Sequence, residues 1–148
     1  MENNNPSAVK RKVQVVVFTR RPRLQVLVLR RPPERGHIWQ PVTGNVDASD
    51  SSLDEAARRE LAEETGIDTF VDLTNTGHDF TFRKGPVQFV ERVIGVETDG
   101  PVAVTLSSEH VEFAWLTPDD ALRRIEWDTN KQGVTRVIDA VSDEQSTP

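Results

Sequence analysis

The apolar positions of this 148-residue chain change period several times, and each change predicts an element. Residues 13–19 (VQVVVFT) and 24–29 (LQVLVL) are short Val- and Leu-rich runs. They predict two strands, and the intervening RRPR predicts a hairpin between them. A Pro/Gly loop (RRPPERGHIW) follows; residues 39–50 then begin as a short strand and become a loop that contains Gly44. The period next becomes helical. Ser52 with Glu55 three residues later is a capping-box start. Gly66 sits where a helix C′ glycine belongs, and no proline interrupts the segment, so a helix is predicted over Leu53–Thr65. Residues 76–82 and 87–97 read as a second hairpin around RKGP. In 111–116 (VEFAWL), Val111, Phe113 and Trp115 alternate onto one face. Thr117 with Pro118 starts a further helix, and a last helix is expected within 129–141. Residues 1–9 read as a disordered lead and 142–148 as a frayed tail, leaving a single domain over 10–141. The order of strands, helix, strands, helices does not alternate regularly. It predicts an α/β fold with a mixed β-sheet sandwiched between helices rather than a doubly wound parallel sheet.

Placed on a wheel at about 100° per residue, the 53–65 helix has Leu53, Ala56, Ala57 and Glu64 within about 60° of Glu60. That arc is its apolar face. Glu63 lies near Arg59 on the other side, and Arg58 points to water. An ordinary surface i,i+4 pair explains Arg59 and Glu63. It does not explain Glu60 and Glu64, two carboxylates one turn apart on a half-buried face, which repel each other and lose hydration. A divalent cation with oxygen ligands supplies the compensation, and Mg²⁺ typically takes one or two carboxylates plus substrate phosphates.

Apolar content of 36% and charged content of 28% suit a globular chain rather than a disordered one. No apolar run is long enough to span a bilayer, the first residues lack the apolar core of a signal peptide, and there is no cysteine for disulfides or thiolate zinc sites. A cytoplasmic protein is the expectation. The net charge of −6 hides an asymmetry: residues 10–35 hold nine Lys/Arg and one acid, while 47–68 hold eight Asp/Glu and two Arg. Two such walls suit a polyphosphate bridged by Mg²⁺, or are simply solvated faces. The acidic balance argues against dedicated duplex-DNA binding.

The stretch Gly44 … Arg59-Glu60-Leu61-Ala62-Glu63-Glu64-Thr65-Gly66-Ile67 resembles the box of the MutT-like Nudix family, G-x5-E-x7-R-E-U-x-E-E-x-G-U with U aliphatic. Its second half matches at every defined position. Its first half departs: Asp50, not Glu, comes five residues after Gly44, and one extra residue precedes Arg59, which puts any role of Asp50 in doubt. WQPVTGNV and SSEHVEFAWL are similar to the bacterial dATP and dihydroneopterin-triphosphate pyrophosphohydrolases. Branches acting on dinucleoside polyphosphates, oxidised nucleotides or capped RNA share much of this frame.

The resemblance implies a Nudix fold and an Mg²⁺-dependent hydrolase, with Mn²⁺ able to substitute, that cleaves a nucleoside or pterin triphosphate to monophosphate and pyrophosphate. Alternatives are a dinucleoside polyphosphate hydrolase, an RNA 5′-end pyrophosphohydrolase or a non-catalytic nucleotide-binding module. It implies that Glu60 and Glu64 are metal ligands, Glu63 a further or water-mediated one, Arg59 the residue that orients them, and the Gly44 carbonyl another ligand. Glu109 is the expected distant ligand or base, with Glu112 its competitor. Lys10, Arg11 and Arg30 are candidate phosphate clamps, and Trp39 stacks a base or fills the core, as does Trp127. His78 and His110 are expected to be structural or surface residues. A monomer or a homodimer fits equally.

Overall fold

The structure, a computed structural model, describes residues 8–146. Its elements in chain order are β1 (Ala8–Thr19), β2 (Gln25–Arg30), a 3₁₀ turn (Pro33–Arg35), β3 (Trp39–Gln40), β4 (Val42–Asn45), α1 (Leu53–Thr65), β5 (Asp72–Lys84), β6 (Val87–Thr98), β7 (Glu112–Leu116), α2 (Pro118–Arg124) and α3 (Asp128–Ser146). Ala8 and Val9, assigned by sequence to the lead, belong to β1; residues 1–7 lie outside the described residues. The final helix continues past residue 141 to Ser146, and 147–148 also lie outside the described residues.

All seven strands join one mixed sheet in the order β3-β2-β1-β6-β5, with β4 paired to β1 and β7 to β2. The β1–β6 pair is parallel over its full length, while the other pairs are antiparallel. Because β1 is central, both of its faces are buried from residue 14 onward, and residues 13–18 are apolar apart from Gln14. Val13, Val15 and Val17 pack with Ala56, Ala57 and Leu61 of α1 on one face. Val16 and Phe18 pack with Ala121 of α2 and with Val134, Val137 and Val141 of α3 on the other. The sheet is thus sandwiched between helices, as the sequence predicts.

Helix α1 has the predicted bounds. Ser52 Oγ accepts from the Glu55 N–H at 3.1 Å, and Gly66, at φ 74°, donates its N–H to Ala62 O. The 76–82 strand is longer than expected, because a bulge between Asn75 and Asp79 lets β5 continue down to Asp72. At β7 the alternation does not mark a buried face: Val111 and Phe113 are exposed, and the opposite face, through Ala114 and Leu116, packs on the α2/α3 core. Among the described residues, no helix is long and apolar enough to cross a membrane.

Candidate active site

Packing of Ala56, Ala57 and Leu61 against the sheet carries two carboxylates inward with them. Glu60 and Glu64 are 8% and 4% exposed, whereas Glu63, on the opposite side of the stripe, is exposed. Glu60 lies against β4: a Cβ added to Gly44 would fall on its carboxylate. Only glycine permits that approach of backbone to carboxylate.

Arg59 organises the helix's outer edge. Its Nε and Nη2 grip Asp50 at 3.0 and 2.9 Å, Nη2 also donates to Asn45 O at 2.8 Å, and Nη1 reaches Glu60 and Glu63 at 3.1 Å each. This bidentate pair corrects the doubt about Asp50. The longer loop closes a turn, Asp50 N–H to Asp47 O at 3.0 Å, and so still delivers a carboxylate to Arg59. The Asp50 side chain is 3% exposed, and its hydrogen bonds from Arg59 hold its pKa below the ordinary value.

Glu64 is held from the other side by the loop before β7. Its Oε2 accepts from Ser107 Oγ at 2.8 Å and lies 3.1 Å from His110 Nδ1. The far ring nitrogen of His110 is 3.4 Å from Gln40 Nε2. Burial lowers the His110 pKa to about 4, with the Arg31 charge acting in the same direction. The ring is therefore neutral near pH 7. Its surroundings assign the tautomer: Nδ1–H donates to Glu64, and Nε2 accepts from the Gln40 amide. The loop is also tied to α1 through its backbone, Thr105 N–H to Thr65 O at 2.9 Å and Ser107 N–H to Glu64 O at 3.4 Å.

Burial raises the Glu60 pKa to about 7; Arg59 opposes the shift, and the charges of Glu63 and Glu64 add to it. Two buried, closely spaced carboxylates beside a bare backbone are a hard-oxygen donor set that a divalent cation would satisfy. Among the described residues, no three His, Cys, Asp or Glu side chains form a complete cage.

A cavity of about 390 Å³ adjoins this site, lined among others by Lys12, Arg31, Arg35, Lys84, Phe82 and Trp127. Gln40 lines it too, so one side chain joins the cavity wall to the His110–Glu64 chain. The basic segment 10–35 thus supplies three cations to the cavity, and the Glu60 charge acts on Lys12. The Arg31 Nε is buried without a hydrogen-bond partner among the described residues.

The other sequence candidates lie around this centre. Glu109 is exposed on the loop, with its backbone N–H on Ser107 Oγ. Lys10 and Arg11 line a separate depression with Asn45 and Asp47. Arg30 donates to Glu112 at 3.1 Å and to His37 O at 3.1 Å. Trp39 is half-buried, with the Arg30 and Arg124 guanidiniums 5.6 and 5.3 Å from its ring centroid. Trp127 is 56% exposed and lines the cavity rather than filling the core. Sequence reasoning put Asp50 in doubt, singled out none of Ser107, Gln40, Lys12, Arg31 and Glu91, and expected His110 to be structural or at the surface. The available signals were the SSEH stretch and an acid, Glu91, on the same strand face as Phe89 and Val93.

Comparison with known proteins places residues 10–137 in the NUDIX domain family. The chain is 38% identical over 125 residues to an octanoyltransferase of Myxococcus xanthus, covering 82% of this chain but only 34% of that protein. It is 32% identical over 99 residues to the asymmetrical bis(5′-nucleosyl)-tetraphosphatase of Rattus norvegicus, covering 64% of this chain and 66% of that one. The chain therefore spans about a third of the first relative and just under two thirds of the second. The fold is shared with the E. coli dihydroneopterin triphosphate pyrophosphohydrolase, at TM-score 0.73 and 22% identity, over 85% of this chain and 92% of that one.

Proposed function

The chain belongs to the NUDIX family, and from that premise we propose that it is a hydrolase of nucleoside diphosphate-linked substrates that cleaves a nucleoside or pterin triphosphate to monophosphate and pyrophosphate. One observation carries the reading: a cavity sized for a single nucleoside, walled by Lys12, Arg31, Arg35 and Lys84, shares Gln40 with the support of a buried glutamate pair. Positive walls hold the phosphate chain, and the glutamates flank its reacting end.

Nudix hydrolases generally use divalent metals such as Mg²⁺. Here Glu60, Glu64 and the Gly44 carbonyl would hold the ion, with Glu63 and Glu109 on the solvent side. A bound ion supplies charge neutralisation to the phosphate oxygens. The chain's own groups do the rest. Arg59, fixed by Asp50, aims Glu60; Ser107 and His110 hold one oxygen of Glu64. Glu109, exposed on the loop, is the group proposed to accept the proton of the attacking water. Water adds to one phosphorus, the bridging P–O bond breaks, and pyrophosphate leaves as the proton is released.

A second reading is favoured by the rat relative: asymmetrical cleavage of a dinucleoside tetraphosphate, with one nucleoside in the same cavity. The two are separated by ion-exchange analysis of products from a nucleoside triphosphate and a dinucleoside tetraphosphate run in parallel with Mg²⁺. Monophosphate and intact pyrophosphate from the triphosphate are expected. A much higher kcat/KM for the dinucleotide transfers the assignment to the second reading, and release of single phosphates from the triphosphate contradicts the bond proposed.

A further inference from the structure

Glu91 lies in the middle of β6, flanked on its face of the sheet by Phe89 and Val93, and it is 4% exposed. A carboxylate in that position is costly. Burial raises its pKa, while the Gln14 hydrogen bond and the charges of Lys12 and Lys84 favour the ionised form. Nothing in the packing of the sheet requires an acid there. Its neighbours across the sheet are Lys12 on β1 and Phe80 on β5. No ion pair joins Glu91 to Lys12 or Lys84 among the described residues, so it is not a simple salt-bridge partner.

Instead, Glu91 is aimed. Gln14, fully buried, donates its amide to Glu91 Oε1 at 3.0 Å and to Thr129 O at 3.3 Å. That fork holds Glu91 Oε1 in place while occupying one of the carboxylate's roughly four lone-pair sites. Glu91 is also a wall of the same 390 Å³ cavity, beside Phe82, Trp127 and Asn130. Phe82 stacks on Phe89 with centroids 5.3 Å apart, which stiffens that aromatic wall. The Asn130 side chain, 5% exposed, makes no hydrogen bond among the described residues.

We propose that this cavity is a subsite for a planar heterocycle presenting a ring N–H next to an exocyclic amino group, the edge shared by guanine and pterins, and that Glu91 reads that edge. The inference rests on the reading that the cavity holds the nucleoside or pterin of the substrate. An ionised carboxylate only accepts hydrogen bonds. Two adjacent donors satisfy it in a bidentate manner; one donor satisfies it in part. Adenine and cytosine place a ring acceptor beside their amino group and set a lone pair against the carboxylate. Hypoxanthine keeps the ring N–H and lacks the amino group. The oxo group next to the ring N–H of guanine or a pterin is an acceptor, and the free amide of Asn130 is a donor of the right kind for it. Phe82 and Trp127 offer faces on which the ring can stack.

The test is calorimetric titration of the protein in EDTA with GMP, IMP and AMP, so that no bond is cleaved during the measurement. The expected order of affinity is GMP, IMP, AMP, with GMP favoured over AMP by at least about tenfold, since a charged hydrogen bond is exchanged for a repulsion. In Glu91→Gln, whose fold is checked by circular dichroism, the preference of GMP over IMP should disappear. Equal binding of GMP and AMP by the unaltered protein overturns the proposal without recourse to any variant. So does tighter binding of AMP, which would mean a protonated Glu91 donating to adenine, and so does an unchanged GMP:IMP ratio in Glu91→Gln. If GMP selectivity and its loss in Glu91→Gln are found while triphosphates are not hydrolysed, the reaction assigned above fails and the subsite stands. If triphosphates are cleaved with no selectivity for the base, the subsite fails alone.

Discussion

Replacing Glu60 with glutamine keeps the shape of the side chain and removes a charge from a place where burial raises the carboxyl pKa from 4.5 to about 7. Between those values the folded chain holds a proton that the unfolded chain has released. Stability from this group is therefore lost as pH rises through the window, and the loss is complete above it. At about 1.4 kcal/mol per pH unit the gap corresponds to roughly 3 kcal/mol; the carboxylate's contact with the solvent edge reduces the working figure to about 2 kcal/mol. His110 acts in the opposite sense. Its pKa is lowered to about 4 from 6.5, so the stability it contributes is present at neutral pH and is lost as pH falls through that range. The raw pH profile thus mixes the two, and the variant isolates one. In EDTA at about pH 8, Glu60→Gln should be more stable than the unaltered protein by about 2 kcal/mol, with the difference shrinking toward about pH 5. Excess Mg²⁺ should stabilise the unaltered protein and leave the variant almost unmoved, while the variant's turnover falls by orders of magnitude. Urea denaturation followed by tryptophan fluorescence reads all of this. A variant no more stable than the unaltered protein at about pH 8 in EDTA would refute the reasoning, because the carboxylate would then bear no cost of burial.

Asp50→Ala should lower the Tm, since it removes both charged hydrogen bonds from Arg59 Nε and Nη2 to that carboxylate; thermal denaturation checks it, and an unchanged Tm contradicts the clamp. His110→Ala leaves Ser107 as the donor to Glu64 Oε2. It should raise the Mg²⁺ concentration needed for half-maximal activity about tenfold, with partial recovery in His110→Asn, measured by metal titration. Glu109→Gln should lower kcat more than KM. Glu112→Gln should be milder, because Arg30 already engages Glu112; steady-state kinetics in the reverse order reassigns the distant acid.

Helix α1 could be read to its last residue because its cap, its helix formers and its apolar stripe all gave the same answer. The inward aim of Glu60 and Glu64 followed from that stripe alone. Strand β7 was harder: alternation gives two faces but does not say which one meets a helix, and Phe113 turned out exposed. Residues 142–148 read as a frayed tail, yet α3 continues to Ser146. Asp50 was obscured by one extra residue, because a spacing rule cannot see that a turn absorbs it. The cavity was illegible for a different reason. Its walls come from β1, the segment after β2, the β5–β6 hairpin and the start of α3, which only the sheet order brings together.

The stitching of the 105–110 loop to the end of α1 bears on how such a molecule can diversify. Ser107 meets both the carboxylate and the backbone carbonyl of Glu64, and Thr105 meets the next carbonyl, so any insertion or deletion in that loop is transmitted directly to the glutamates. The opposite rim has no such tether: Arg31, Arg35 and Ile38 lie in a connecting segment, and Phe82 and Lys84 stand near the tip of a hairpin. New preferences for what is cleaved can therefore arise by changing the length and sequence of those segments, and a library confined to them would explore substrates while the hydrolytic half stays intact.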